Sequence, residues 1–517
     1  AARRLDGALQ LFSSVRDFGY SKRADETLAA WGHEAALADV VWVIRTFQPD
    51  VIITRYDEHP PNHGHHTASA ILARKAFTAA ADPNRFPEQL RAGVTPWRAD
   101  RLLHNVWRIR EKSPDTLTID VGDYDVRLGL SYGELAALSR SQNKSQGFGT
   151  PAVRGPLLES FVPVAGTRPT KDIFEGLALG WERFGSAGTA LARALEEART
   201  RLERDAPERA LPSLLKANRV LEALPNQPRT RDARAMLDAL IASVAGVFVR
   251  ATAPTPAASP GTRLPVSVEV VMRRPATMTL KRVVFAGTDA LELNAQLHVN
   301  EKQEISREVI VPSRANLSWP YWLRASGAVR NWGEGGRDPV GEPEGPPPFA
   351  VDVDLMVGGR TVRVTAPLQY AWTDRVLGER TQLVTVTPPV TITPARKATM
   401  LPNGAATRVT LRVRAWKDEL KAIVRLPVPQ AWSVRPAEAP VALAQAGDET
   451  LVHFEVTAPA AAAAVSLTPE VIVDGRTWSW REDVIDYPHV PVQRVLQPAA
   501  IRFVPLSIRL PQGLVGY

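Results

Sequence analysis

Leu37, Val40, Val41, Ile44 and Phe47 recur three and four residues apart, the spacing of one helix face, and Pro49-Asp50 ends the run. Four β-branched residues follow, Val51-Ile52-Ile53-Thr54, and predict a strand. An Ala-rich stretch over 67–81 predicts the next helix, stopped by Asp82-Pro83. Further strands are expected over 101–107 and 116–121, and a helix over 132–139. Upstream, Leu5, Leu9, Phe12 and Val15 carry helical spacing through 1–17, with Gly19 as the stop. This order predicts an α/β domain over 1–168, with helices packed on a mostly parallel sheet.

The pattern then changes twice. Over 169–250, Ala, Leu, Glu and Arg dominate, predicting two or three antiparallel helices near 189–204, 211–224 and 231–244, with a docking or spacer role. A Pro/Thr/Ala/Ser-rich stretch, 251–262, reads as a linker. Beyond it, short alternating apolar and polar runs separated by Gly and Pro predict two β-sandwiches, 263–384 and 385–517, with a loop insertion over 328–348. The chain is therefore expected to be multidomain: α/β, then helical, then all-β. Trp319, Tyr321, Trp322, Trp372, Trp478 and Trp480 are candidates for stacking on sugar rings, although burial in sandwich cores is the expected fate of most.

Composition removes several function classes. No cysteine occurs among 517 residues, which excludes disulfides, cysteine-ligated metal and thiol catalysis. The net charge of +8 is spread among acids, with no basic run interleaved with aromatics that would mark a nucleic-acid surface. No stretch reaches the ~20 apolar residues of a membrane span, and no signal sequence is present.

The one dense chemical feature is Asn62-His63-Gly64-His65-His66-Thr67. Four of the nine histidines lie between His59 and His66, after the first strand and at the start of a helix. The carboxyl edge of a sheet is where open α/β proteins build their sites. His63 and His66, three apart, share a helix face, and His65 points elsewhere. Neutral imidazole is a common zinc ligand, but His-x-x-His supplies two nitrogens and not a whole site. The plain alternative is a polar loop of solvated histidines, which is the default for one histidine and less so for four in eight residues. His104, on a predicted strand, is expected to be a structural neighbour.

Residues 56–70, together with Ala79-Ala80-Ala81-Asp82-Pro83-Asn84-Arg85-Phe86-Pro87-Glu88-Gln89-Leu90, resemble the second motif region of the PIG-L/LmbE-like zinc-dependent N-acetylglucosamine deacetylases. Ser139-Arg140-Ser141-Gln142-Asn143-Lys144-Ser145-Gln146-Gly147-Phe148-Gly149 resembles a third region of the large bacterial members, and the likeness covers about 1–165. It implies a Rossmann-like, LmbE-type layered domain. It also implies Zn2+-assisted hydrolysis of the N-acetyl amide of an amino sugar or glycan, in the periplasm or outside the cell. His66 is then the expected zinc ligand, and His63 the group that stabilises the oxyanion or assists amine departure. Asn143 stands where the family often has a histidine; it can donate a hydrogen bond but not a proton at neutral pH. The family's first motif, Ala-His-Pro-Asp-Asp, is not in this sequence, and its large members continue into another domain where this chain stops at Tyr517, so the resemblance implies a piece cut at both ends, with little activity alone. The competing expectation is a secreted carbohydrate-binding or scaffold protein with a degenerate deacetylase domain. A weaker likeness, at Leu426-Pro427-Val428-Pro429-Gln430-Ala431-Trp432, is to sandwich domains associated with bacterial glycosidases.

Overall fold

A computed structural model describes residues 2–59, 62–106, 115–285, 288–319, 341, 345–402, 404–487 and 490–507. The chain divides into two compact units, one mainly Ala1–Thr200 with Lys216–Leu237, the other mainly Arg201–Leu215, Asp238–Pro320 and Pro347–Tyr517. Mixed helix and strand in the first and several sheets in the second agree with a multidomain chain that ends in sandwich-like sheets.

In the first unit, the apolar stripe forms the helix His33–Phe47. Its Ala36, Leu37, Val41 and Ile44 pack on Leu72, Ala76, Ala79 and Ala80 of and beside the helix Gly64–Ala79. Small alanines let the two helix backbones approach closely. Phe47, read as part of the stripe, is instead exposed at the helix end, where Gln48 turns left-handed. Between the two helices runs the strand Val51–Thr54. It pairs parallel with Arg101–Val106, from Val51 opposite Arg101 to Thr54 opposite His104. The sheet continues through Leu158–Gly166 to Leu117–Asp120, both joined antiparallel. The mostly parallel sheet expected from the sequence is thus a mixed one among the described residues.

The helix expected over 1–17 is also corrected. Only Ala2–Leu5 is helical, Gly7 adopts a positive φ of 67°, and Leu9 is 78% exposed. Helical spacing fails there because the apolar residues find no surface to cover; only Val15 packs on the helix pair.

The expected helices appear as Gly185–Arg201, Leu211–Glu222 and Pro228–Val244. The expected linker does not. Val247–Ala253 is a strand, paired antiparallel with Arg263–Met272 and parallel with Arg360–Asp374, and Ala257–Ala258 pairs with Thr385–Val386. Ala251, Ala257, Ala258 and Ser259 are buried. Small residues that mimic a linker in composition are here the ones that fit between close backbones.

In the second unit, an eight-stranded assembly runs Leu291–Gln296, Met278–Phe285, Ala350–Val357, Arg360–Asp374, Val247–Ala253, Arg263–Met272, Lys302–Ile310, with Gly378–Leu383 also on Arg360–Asp374. The 15-residue strand Arg360–Asp374 belongs to two sheets: its first half pairs with Ala350–Val357, its second with Val247–Ala253 and Gly378–Leu383. Alternation is strict in Arg263–Met272, where Leu264, Val266, Val268, Val270 and Met272 face the core. On the opposite sheet Asp354, fully buried, sits in register between Arg282 and Arg363 and bonds both, at 2.7 Å each.

The second sandwich closes around Leu411, Val413, Phe454, Trp432, Trp478 and Phe503. Trp432 and Trp478 are therefore core residues. Trp319 meets Trp480 edge-on at 4.9 Å, and Trp372 stacks with Tyr370 at 5.5 Å. Trp107, Tyr321, Trp322 and most of the expected insertion over 328–348 lie outside the described residues.

Candidate functional site

Because Val51–Thr54 and Arg101–Val106 run parallel, their carboxyl ends share one edge, and the histidine loop leaves from it. The helix starts earlier than its alanine run, at Gly64, with His63 as the extended N-cap residue. The carbonyl of His63 accepts the N–H groups of His66 and Thr67, at 3.0 and 3.2 Å, so both His63 and His66 are fixed to the first turn. Gly64 is required at this junction. Its N–H donates to the Ser21 carbonyl at 2.9 Å, and an added Cβ would collide with the Arg23 carbonyl and Ser21 Oγ and lie 2.7 Å from Thr27 Oγ1.

The imidazoles of His63 and His66 come together with ring centres 3.6 Å apart. Tyr56 lies parallel on His66 at 3.7 Å, and Tyr20 leans on His63 at 5.5 Å. His65 turns away, as its position on the helix requires. It packs on Phe18 at 4.7 Å and Trp31 at 5.3 Å, and its Nδ1 meets Ser21 Oγ at 3.2 Å. His104 stands beside Thr54 on the same sheet edge, half-buried. Asp57, at the mouth of the loop, accepts the His59 N–H and an Asn62 amide hydrogen, at 2.9 and 3.0 Å.

Electrostatics favour the neutral forms of His66 and His104. Burial lowers the pKa of His66, and the neighbouring His63 and His65 push it the same way. Burial also lowers that of His104, against the opposing pull of Asp57. His63 Nδ1 is buried without a hydrogen-bond partner. A neutral imidazole is the form that ligates zinc, so His66 fits one ligand position of a zinc site, and the unpartnered His63 Nδ1 leaves that ring a polar atom to offer beside it. Among the described residues no group of three or more His, Asp or Glu is gathered as a full metal site would need.

Asn143 lies apart from this pair. It is exposed in the loop after the helix Tyr132–Arg140, and its side-chain amide donates to the Arg140 carbonyl at 3.0 Å. No described contact joins it to His63 or His66. Three residues around the histidines carry no chemical signal in the sequence. Tyr56 is two residues past the strand, a position that alone signals an edge side chain. Tyr20 and Ser21 lie behind Gly19, in a stretch whose importance only tertiary packing reveals.

No family model matches the chain, and no curated protein matches it. Solved structures similar to half of the chain include a Salmonella alpha-2-macroglobulin, at 12% identity and a TM-score of 0.18. Two more are an Escherichia coli alpha-2-macroglobulin, at 11% and 0.18, and a Porphyromonas gingivalis protein of unknown function, at 12% and 0.13. The match spans 16% and 22% of the two macroglobulins and 99% of the Porphyromonas protein. At such scores neither fold nor function carries over. No helix among the described residues is long and apolar enough to cross a membrane.

Proposed function

We propose that this chain carries part of a zinc-dependent N-deacetylase of the PIG-L/LmbE-like type, hydrolysing the N-acetyl amide of an N-acetylglucosamine-type sugar or glycoconjugate. The observation that carries the reading is the His63–His66 pair, ring to ring at 3.6 Å on the carboxyl edge of a parallel strand pair. That parallel pair, flanked by the helices His33–Phe47 and Gly64–Ala79, also supports a Rossmann-like layering for the first unit.

His66, kept neutral by burial, would offer its lone pair to the metal. Zinc, when bound, polarises the amide carbonyl and acidifies water. His63 faces the same space and is suited to stabilise negative charge on the former carbonyl oxygen, or to give a proton to the departing amine. Tyr56, flat against His66, holds that ring's plane. Asn143 would contribute only a hydrogen bond, and only if its loop approached the pair. Further donors are needed to complete zinc coordination, so this chain alone is expected to bind zinc weakly. A periplasmic or extracellular location goes with this reading, since glycan substrates and sandwich domains are at home there.

The test is elemental analysis of the protein at its natural length, with His66→Ala as control. About one zinc per chain, lost in the variant together with acetate release from N-acetyl sugars, is the expected result. Acetate release that survives loss of His66 would refute the assignment.

A further inference from the structure

The segment before the first long helix is irregular, yet its residues beside Tyr20 are tied down. Ser21 is buried, and its Oγ lies 2.6 Å from Thr27 Oγ1 and 3.2 Å from His65 Nδ1, while its carbonyl takes the Gly64 N–H. Phe18, on the other side, packs its ring on His65. Tyr20 sits between these anchors and is 74% exposed, with its ring next to His63. A large aromatic side chain thus stands beside the histidine pair, on backbone anchored at both sides, while contributing little to burial. Tyr56 differs, because one of its faces is already spent on His66.

We infer that Tyr20 is a specificity-determining residue that stacks on the pyranose ring of the substrate. The inference rests on the deacetylase reading for its choice of sugar. A pyranose has one face of C–H groups and a rim of hydroxyls. An open aromatic face recognises the first, and imidazoles beside it recognise polar groups at the rim. With the ring on Tyr20, an N-acetyl group at its edge is within the reach of His63. A small acetamide has no face to lay on Tyr20, so Tyr20 confers preference for cyclic sugar amides over acyclic ones.

The experiment is saturation-transfer NMR on the full chain with methyl N-acetyl-β-glucosaminide as probe, and acetamide and uridine in separate samples. The parent is expected to transfer magnetisation to the sugar ring protons. Tyr20→Ala is expected to weaken binding of the glycoside about 5- to 10-fold, the range of one aromatic contact, and to leave acetamide unchanged. Tyr20→Trp is expected to restore binding. Unchanged melting of the variants shows that the fold is kept, as the exposure of the side chain predicts. Equal binding by parent and Tyr20→Ala, no binding by the parent, or preference for uridine overturns the inference. Glycoside binding that depends on Tyr20, without acetate release by the zinc-supplied protein at its natural length, would sink the deacetylase reading and leave the Tyr20 site standing.

Discussion

Gly64 shows how one residue decides a site. Alanine is preferred over glycine inside a helix by about 1 kcal/mol, so propensity alone predicts that Gly64→Ala stabilises the protein. The collision with the Arg23 carbonyl and Ser21 Oγ opposes this, and overpacking of a tight junction costs about 1–3 kcal/mol. We expect net destabilisation, read as a lower urea midpoint at unchanged slope, with zinc affinity reduced as His63 and His66 move. A raised midpoint would show that the junction yields. The histidine pair itself was legible, because three-residue spacing at a helix start puts two side chains on one face. The crevice that fixes it was not, since Ser21, Arg23 and Thr27 belong to a segment whose own pattern signalled nothing. Arg45 was equally illegible. Set within the apolar stripe of its helix, it is fully buried and donates to the carbonyls of Ala79, Ala80, Asp82, Arg85 and Phe86 and to Gln89 Oε1. All but one of its partners are backbone atoms, and these leave no mark in a sequence.

At the level of elements, Asp50 ties the entry of the strand Val51–Thr54 to the helical region. It bonds Arg183 at 3.0 and 3.2 Å and Arg229 at 2.9 Å. Burial opposes its ionisation, but the hydrogen bonds from Arg183 and Arg229, with their charges, outweigh this and hold its pKa below the usual carboxylate range. A group with a depressed native pKa stabilises the fold above its unfolded pKa and loses that contribution as pH falls toward the native one. The parent should therefore lose stability between the ordinary carboxylate range and the lowered value. Asp50→Asn should be less stable at neutral pH by about 3 kcal/mol and should lack that part of the acid limb, as urea midpoints from pH 7 to pH 3 will report. Parallel acid limbs in the two proteins would exclude the role. Element boundaries are legible where periodicity meets burial, as in His33–Phe47, and where a β-branched run meets a pairing strand, as in Val51–Thr54. They were misread at 251–262, where Ala, Ser, Thr and Pro compose strand and linker alike, and at 1–17, where apolar spacing has no partner surface.

On the scale of the whole molecule, contacts far apart in sequence decide what the chain can become. Ile501–Leu506 pairs parallel with Ala398–Pro402 and antiparallel with Val465–Leu467, and Ile501 and Phe503 are fully buried beside Trp432. Parallel pairing across some hundred residues must close a long loop before any contact repays it. During synthesis, the second sandwich therefore waits, with Leu401, Phe454 and Trp432 poorly covered, until residue 506 has left the ribosome. Such a chain is expected to depend on holding chaperones while it waits, and a message that stops before the codons for 501–506 is expected to yield a degraded product, not a slightly weaker protein. Stopping translation after residue 499 should give protease-sensitive, aggregation-prone protein, and stopping after 507 should give a soluble one. Similar protease resistance of the two would mean that the last strand is an ornament on a core already closed.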